Sequence, residues 1–164
     1  MGTTAKSYSE QSDTTSPIVV GVDGSPTARL ALDWAIHEAE AHGNPVLAIS
    51  SWELPAMATA SPGFAFAAAD MQELADICRK TLLAEIAEAA KGHESVRIEH
   101  RVVEGPPALA LIDASESEHA AALVTGSRGH GGFVGLLLGS VSQQCVTHAH
   151  CPVVVIHPRS GKLA

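Results

Sequence analysis

Short apolar runs recur along this chain, each parted from the next by a segment with helical spacing, and that alternation restricts the architecture more than any other feature. Ile18–Val22 (IVVGV) and Val46–Ser50 (VLAIS) are apolar on both faces, as strands are when helices cover both sides of a sheet. Val96–Val103 (VRIEHRVV) alternates only in part, with Arg97, Glu99 and Arg101 on one face, which predicts a strand nearer the sheet edge. Ala121–Thr125 and Val153–His157 complete the set; Pro152 opens the last run and Pro158 closes it.

The intervening segments read as helices. Ser25 is a good N-cap with Pro26 at the first helical position, where its missing N–H costs nothing. Arg29, Asp33, His37 and Glu40 then mark a solvent stripe, and Gly43 and Pro45 end the helix. From Asp70 to Lys91, Met71, Leu74, Ala75, Cys78, Leu82, Ile86 and Ala89 keep a three-and-four spacing that predicts the longest amphipathic helix. Two shorter helices are expected at Ala108–Glu118 and Ser140–His148. Trp52–Ala69, with Pro55, Pro62 and Gly63, fits neither period and is expected to be a long connection of the kind that serves as a lid or an interaction surface. Residues 1–16 and 161–164 read as tails flanking one domain over 17–160. The order βαβαβαβαβ predicts a single α/β domain, a three-layer doubly wound sheet with helices on both faces.

In such sheets ligands bind beyond the carboxyl ends of the strands, where the strand order reverses. Two polar glycine turns fit that place, Asp23-Gly24 after the first strand and Gly126–Gly132 after the fourth. The second belongs to LVTGSRGHGGFVGLLLGSVSQQCVT, Leu123–Thr147, in which Gly126, Gly129, Gly131, Gly132 and Gly135 crowd together. Glycine permits positive φ and close backbone approach, and Gly139-Ser140 stand where a helix start would offer free N–H groups to a phosphate. The pattern points to a polyphosphate site.

Composition narrows the partners. A net charge of −8 with scattered Lys and Arg leaves no basic stripe for nucleic acid, although backbone N–H groups can still hold a small anion. No apolar stretch approaches a membrane span, and the segment around Lys6 has no apolar core of a secretion signal. Cys78, Cys145 and Cys151 form no CxxC pair, which suits a reducing cytoplasm. The P-loop, GxGxxG and GxSxG patterns are all missing. His148, His150 and Cys151 (HAHC), with His157 nearby, are candidate metal ligands, weighed against a helix end carrying histidines that its dipole favours. Cys145 and Cys78 read as core positions, Trp34 and Trp52 as packing or dimer residues.

The spacing of Gly126, Gly129, Gly139 and Ser140 matches G-x2-G-x9-G-[ST], and with it VGVDGSPTARLALDWA, VVEGPP and CPVVVIHP make the chain resemble the ATP-binding universal stress proteins from about Pro17 to Pro158. The resemblance implies a Rossmann-like sheet of five parallel strands in the order 3-2-1-4-5, and a homodimer paired through the last strand, Val153–His157. It further implies an adenine-nucleotide site, with Asp23 and Gly24 near ribose and phosphates and Asp23 as ligand of any Mg²⁺. Ser51 and Thr125 would lie by adenine, with Gly126, Arg128, Gly129, Gly139, Ser140, Val141 and Ser142 around ribose and phosphates. ATP is the implied ligand, with cyclic AMP as rival. The expected activity is that of a stress-response or signalling module that binds nucleotide; the alternative is a slow Mg-dependent ATP hydrolase using Asp23 with His130 or Arg128.

Overall fold

The computed structural model describes residues 16–53, 68–129 and 138–158. Five parallel strands, β1 (Ile18–Gly21), β2 (Val46–Trp52), β3 (Ile98–Glu104), β4 (Ala122–Gly126) and β5 (Val153–Ile156), form one sheet in the order β3-β2-β1-β4-β5. The described helices are α1 (Pro26–His42), α2 (Ala68–Ala89), α3 (Pro107–Ser117) and α4 (Ser140–His148). The expected α/β architecture and strand order are both present. The expected tails, residues 54–67 of the connection after β2, and the loop residues His130, Gly131, Gly132 and Gly135 lie outside the described residues.

Strand alternation divides the core between the two faces of the sheet. Ile18, Val20 and Val22 point toward α1 and α2, where they meet Leu32, Ile36 and Leu82. Val19, between them, points the other way and packs with Leu47, Ile49, Leu111, Leu123 and Cys145 under α3 and α4. Each such aliphatic side chain contributes about 1.5–3 kcal/mol on full burial, and the double-sided apolar runs exist because both faces are covered. Trp34 packs at the margin of the first cluster, as a packing residue would. The solvent stripe of α1 is exposed at Arg29, Asp33, His37 and Glu40.

Element ends shift by a residue or two from the sequence reading. β1 stops at Gly21, although Val22 N–H still donates to Ile49 O at 2.8 Å, because the chain then turns through Gly24 at φ +81°. β3 begins at Ile98, since Val96 N–H closes a turn onto His93 O at 3.0 Å. β2 runs on to Trp52, which pairs with Glu104. β3 has its charged residues Glu99 and Arg101 exposed, in keeping with an edge position. At the start of α1, Ser25 Oγ accepts the Ala28 N–H at 3.3 Å; at its end Gly43, at φ +74°, donates to Ala39 O.

Candidate functional site

Because β1 and β4 are neighbours, the turns that follow them open into one crevice, and a cavity of about 370 Å³ lies there, beyond the carboxyl ends of β1, β2 and β4. Asp23, Ser51, Thr125, Gly126, Arg128 and Gly129 line it from the strand ends; Gly139, Ser140, Val141 and Ser142 line it from the start of α4. Of the described residues expected at the site from sequence, Gly24 alone is not on this wall. It serves the turn itself, and its carbonyl accepts from Arg29 Nη2 at 3.3 Å.

The α4 end of the crevice has the chemistry to hold an anion. Gly139 is the N-cap and has no side chain to cap the helix, so the first-turn N–H groups face the cavity uncapped at the positive end of the helix dipole. The opposite end is apolar, with Val22, Ile49, Pro107 and Leu111 forming a floor. Thr125, only 3% exposed, has a hydroxyl with no hydrogen-bond partner at this wall. Such a buried hydroxyl costs about 1–3 kcal/mol unless something bonds it. Sequence reasoning missed the floor residues from α3, Pro107 and Leu111. Their only signal was their place in an apolar helix after VVEGPP.

Two glycines of the motif, Gly126 and Gly129, are required for space rather than for φ, whereas a Cβ on Gly139 would meet its neighbours only at 3.5 Å. Gly139 has an ordinary φ of −72°. A Cβ on Gly126 would lie 2.7 Å from the carbonyl carbon of Thr27 and 2.9 Å from Ala28 N, so the first turn of α1 sits directly against β4. A Cβ on Gly129 would lie 2.5 Å from Asp23 Oδ2. The Ser142 hydroxyl is committed within the fold. Ser142 Oγ donates to Gly126 O at 2.6 Å, fastening α4 to β4.

Asp23 stands exposed at the rim, and its Oδ1 accepts the Ser25 N–H at 2.9 Å. It is the sole carboxylate on the cavity wall among the described residues, and those residues hold no group of three His, Cys, Asp or Glu fit for a metal. The HAHC reading therefore gains nothing: His148, His150 and His157 are exposed and Cys151 is half-buried. Cys145 is fully buried, and burial pushes its thiol up to about 11, as befits an inert core residue. Cys78 lies on the half-buried face of α2, its Sγ 3.0 Å from Ser50 Oγ. No described helix is long and apolar enough to cross a membrane.

A family model for the universal stress protein family matches residues 14–157. The chain belongs to the universal stress protein family. It is 32% identical over 148 residues to a universal stress protein of Mycolicibacterium smegmatis, covering 90% of this chain and 47% of that one. With a universal stress protein of Mycobacterium tuberculosis it shares 35% identity over 139 residues, covering 85% and 44% respectively. The chain thus spans less than half the length of these curated relatives. Among solved structures, a universal stress protein in complex with cAMP superposes at a TM-score of 0.62 with 27% identity, covering 87% of this chain and 96% of that chain. A universal stress protein from Archaeoglobus fulgidus gives 0.63 with 28% identity, covering 86% and 93%.

Proposed function

We propose that this universal stress protein domain binds an adenine nucleotide in the crevice beyond β1 and β4, its phosphate at the start of α4 and its base over the apolar floor. The observation that carries the reading is the meeting, in one cavity, of an uncapped helix amino terminus, an apolar floor and the unpartnered Thr125 hydroxyl on the wall. The 27% identical structure bound to cAMP supports the same ligand class. Ser51 and Thr125 face the base, while Gly129, Gly139, Ser140, Val141 and the Ser142 amide surround ribose and phosphate, and Arg128 screens charge at the open side.

ATP is the full-length ligand we assign, with cyclic AMP as its competitor. Mg²⁺ fits only as an ion carried by the nucleotide, because Asp23 supplies one carboxylate and the remaining oxygens must come from phosphate and water. The domain acts as a binding module of the cytoplasmic stress response rather than a fast hydrolase: the described wall offers no second carboxylate or histidine as a general base. A homodimer through β5 is part of the same reading. That strand is at the sheet edge with all four residues half-buried, so a second copy can extend the ladder.

Calorimetric titration of nucleotide-stripped protein with cAMP, AMP and ATP, with and without Mg²⁺, tests this directly. Binding by wild type that disappears in Gly129→Glu, whose carboxylate would stand against Asp23 and the phosphate, is the expected result. Absence of heat with all three nucleotides would overturn it.

A further inference from the structure

Thr27 sits buried in the first turn of α1, yet its hydroxyl does not serve its own helix. Oγ1 donates to the main-chain carbonyl of Arg128, 101 residues away in the glycine loop. With the Thr27 hydrogen committed there, its 3.4 Å contact with Ser25 Oγ has Ser25 as donor, and Ser25 Oγ in turn accepts the Ala28 N–H at 3.3 Å. The donors run in one direction, from the Ala28 amide through Ser25 and Thr27 to the Arg128 carbonyl. Hydrogen bonds aligned in this way polarise one another.

The peptide after Arg128 is trans, so its C=O and the Gly129 N–H point in opposite directions. Holding the carbonyl against α1 therefore turns the Gly129 N–H away from α1. That nitrogen lies beside the start of α4: a Cβ on the N-cap Gly139 would lie 3.9 Å from it, and the Gly139 N–H itself donates to Ser127 O at 2.7 Å. The absence of a side chain at Gly126 is what lets Thr27 come this close to the loop.

We propose that Thr27 is a positioning residue for the phosphate: by gripping the Arg128 carbonyl it presents the Gly129 N–H as one more anion donor beside the uncapped first turn of α4. It does so without lining the cavity. The inference rests on the adenine-nucleotide reading and deepens it, because it concerns the phosphate and leaves the nucleoside untouched.

The test compares AMP with adenosine on wild type, Thr27→Val, which keeps the shape and drops the hydroxyl, and Thr27→Ser, which keeps the hydroxyl. Thr27→Val is expected to weaken AMP about tenfold, the scale of one hydrogen bond to a charged group. Adenosine affinity stays unchanged, and Thr27→Ser restores AMP. An equal loss for both ligands, or none for AMP, would overturn the proposal. Wild type that binds neither ligand would instead bring down the nucleotide reading beneath it. Should Thr27→Val not fold, the Gly129 amide resonance of wild type decides: displacement by AMP but not by adenosine supports the grip, and equal displacement by both refutes it.

Discussion

The two ends of the sheet carry cavities of almost equal size, about 370 Å³ at the carboxyl end and about 380 Å³ at the amino end, yet their polar groups are partnered differently. In the amino-end cleft, lined by Glu40, Gly43, Asn44, Ser95 and Arg97 among others, the polar side chains already have partners. Glu40 accepts from His93 Nδ1 at 2.7 Å and from Ser95 Oγ at 3.1 Å, and Asn44 Nδ2 donates to Ser16 O at 2.9 Å. The helix end facing this cleft is the carboxyl end of α1, already capped by Gly43. At the other end, α4 presents an uncapped amino terminus, and both buried side-chain oxygens without a partner among the described residues, Thr125 and Ser127, lie at the end of β4 or just past it. Volume is thus a poor guide. A parallel sheet sends the amino ends of its crossover helices to the carboxyl side, and the dipoles with their orphan donors gather there.

The largest effect that would sharpen this contrast concerns packing. Gly126→Ala is expected to destabilise the protein by about 1–3 kcal/mol, because the backbone of Thr27 and Ala28 must move to admit the methyl group. Gly43→Ala, at the amino end, meets nothing within 4 Å and bears only the strain of φ +74°, about 1 kcal/mol. Urea denaturation of the two variants compares them. Equal costs would mean that close approach is not what glycine supplies at 126.

Next comes a substitution that separates stability from binding. Gly139 has N-cap geometry, and a Cβ there would touch Arg128 Cα and Ser127 O only at 3.5 Å. Gly139→Asp is therefore expected to hold stability or raise it by about a few tenths of a kcal/mol by capping α4, while its carboxylate occupies the anion end and lowers AMP affinity at least about tenfold. Melting curves and calorimetry on one preparation check both halves. Unchanged AMP affinity would break the assignment of the α4 terminus as the anion end.

The smallest effect belongs to the amino end. The hydrogen bond from His93, then that from Ser95, holds the Glu40 carboxyl below its usual value of 4.5. A carboxyl lowered by folding adds stability above its unfolded value, and that increment is lost as pH falls through the folded one. Glu40→Gln is accordingly expected to flatten the acid limb of the stability profile slightly and to leave AMP affinity at neutral pH unchanged. A nucleotide effect from Glu40→Gln would show that the two ends are coupled after all.

Much of this was legible in the sequence, for identifiable reasons. Ser25 with Pro26 marks the start of α1, and Ser140–His148 has the bounds expected for α4, since caps and proline act over a few residues. The double-sided apolar runs announced a covered parallel sheet. Ten of the residues expected at the site line the carboxyl-end cavity, because the motif spacing holds both of its walls. What stayed hidden depends on partners far along the chain. Nothing local to Ser142 showed that its hydroxyl would fasten α4 to Gly126 O. Leu111 gave no sign, within its own helix, that it would floor a ligand cavity.

The sequence by itself determined the alternation of elements, their caps, and the gathering of glycines and small polar residues after the first and fourth strands, since these follow from period, chain stiffness and local hydrogen bonding. Only the tertiary structure decided why Gly126 and Gly129 must be glycine and what the hydroxyls do. Gly126 yields room to Thr27, and Thr27 reaches across 101 residues to Arg128. Such contacts exist only after α1 and β4 have packed side by side. No pattern confined to neighbouring residues encodes the distance between two backbones.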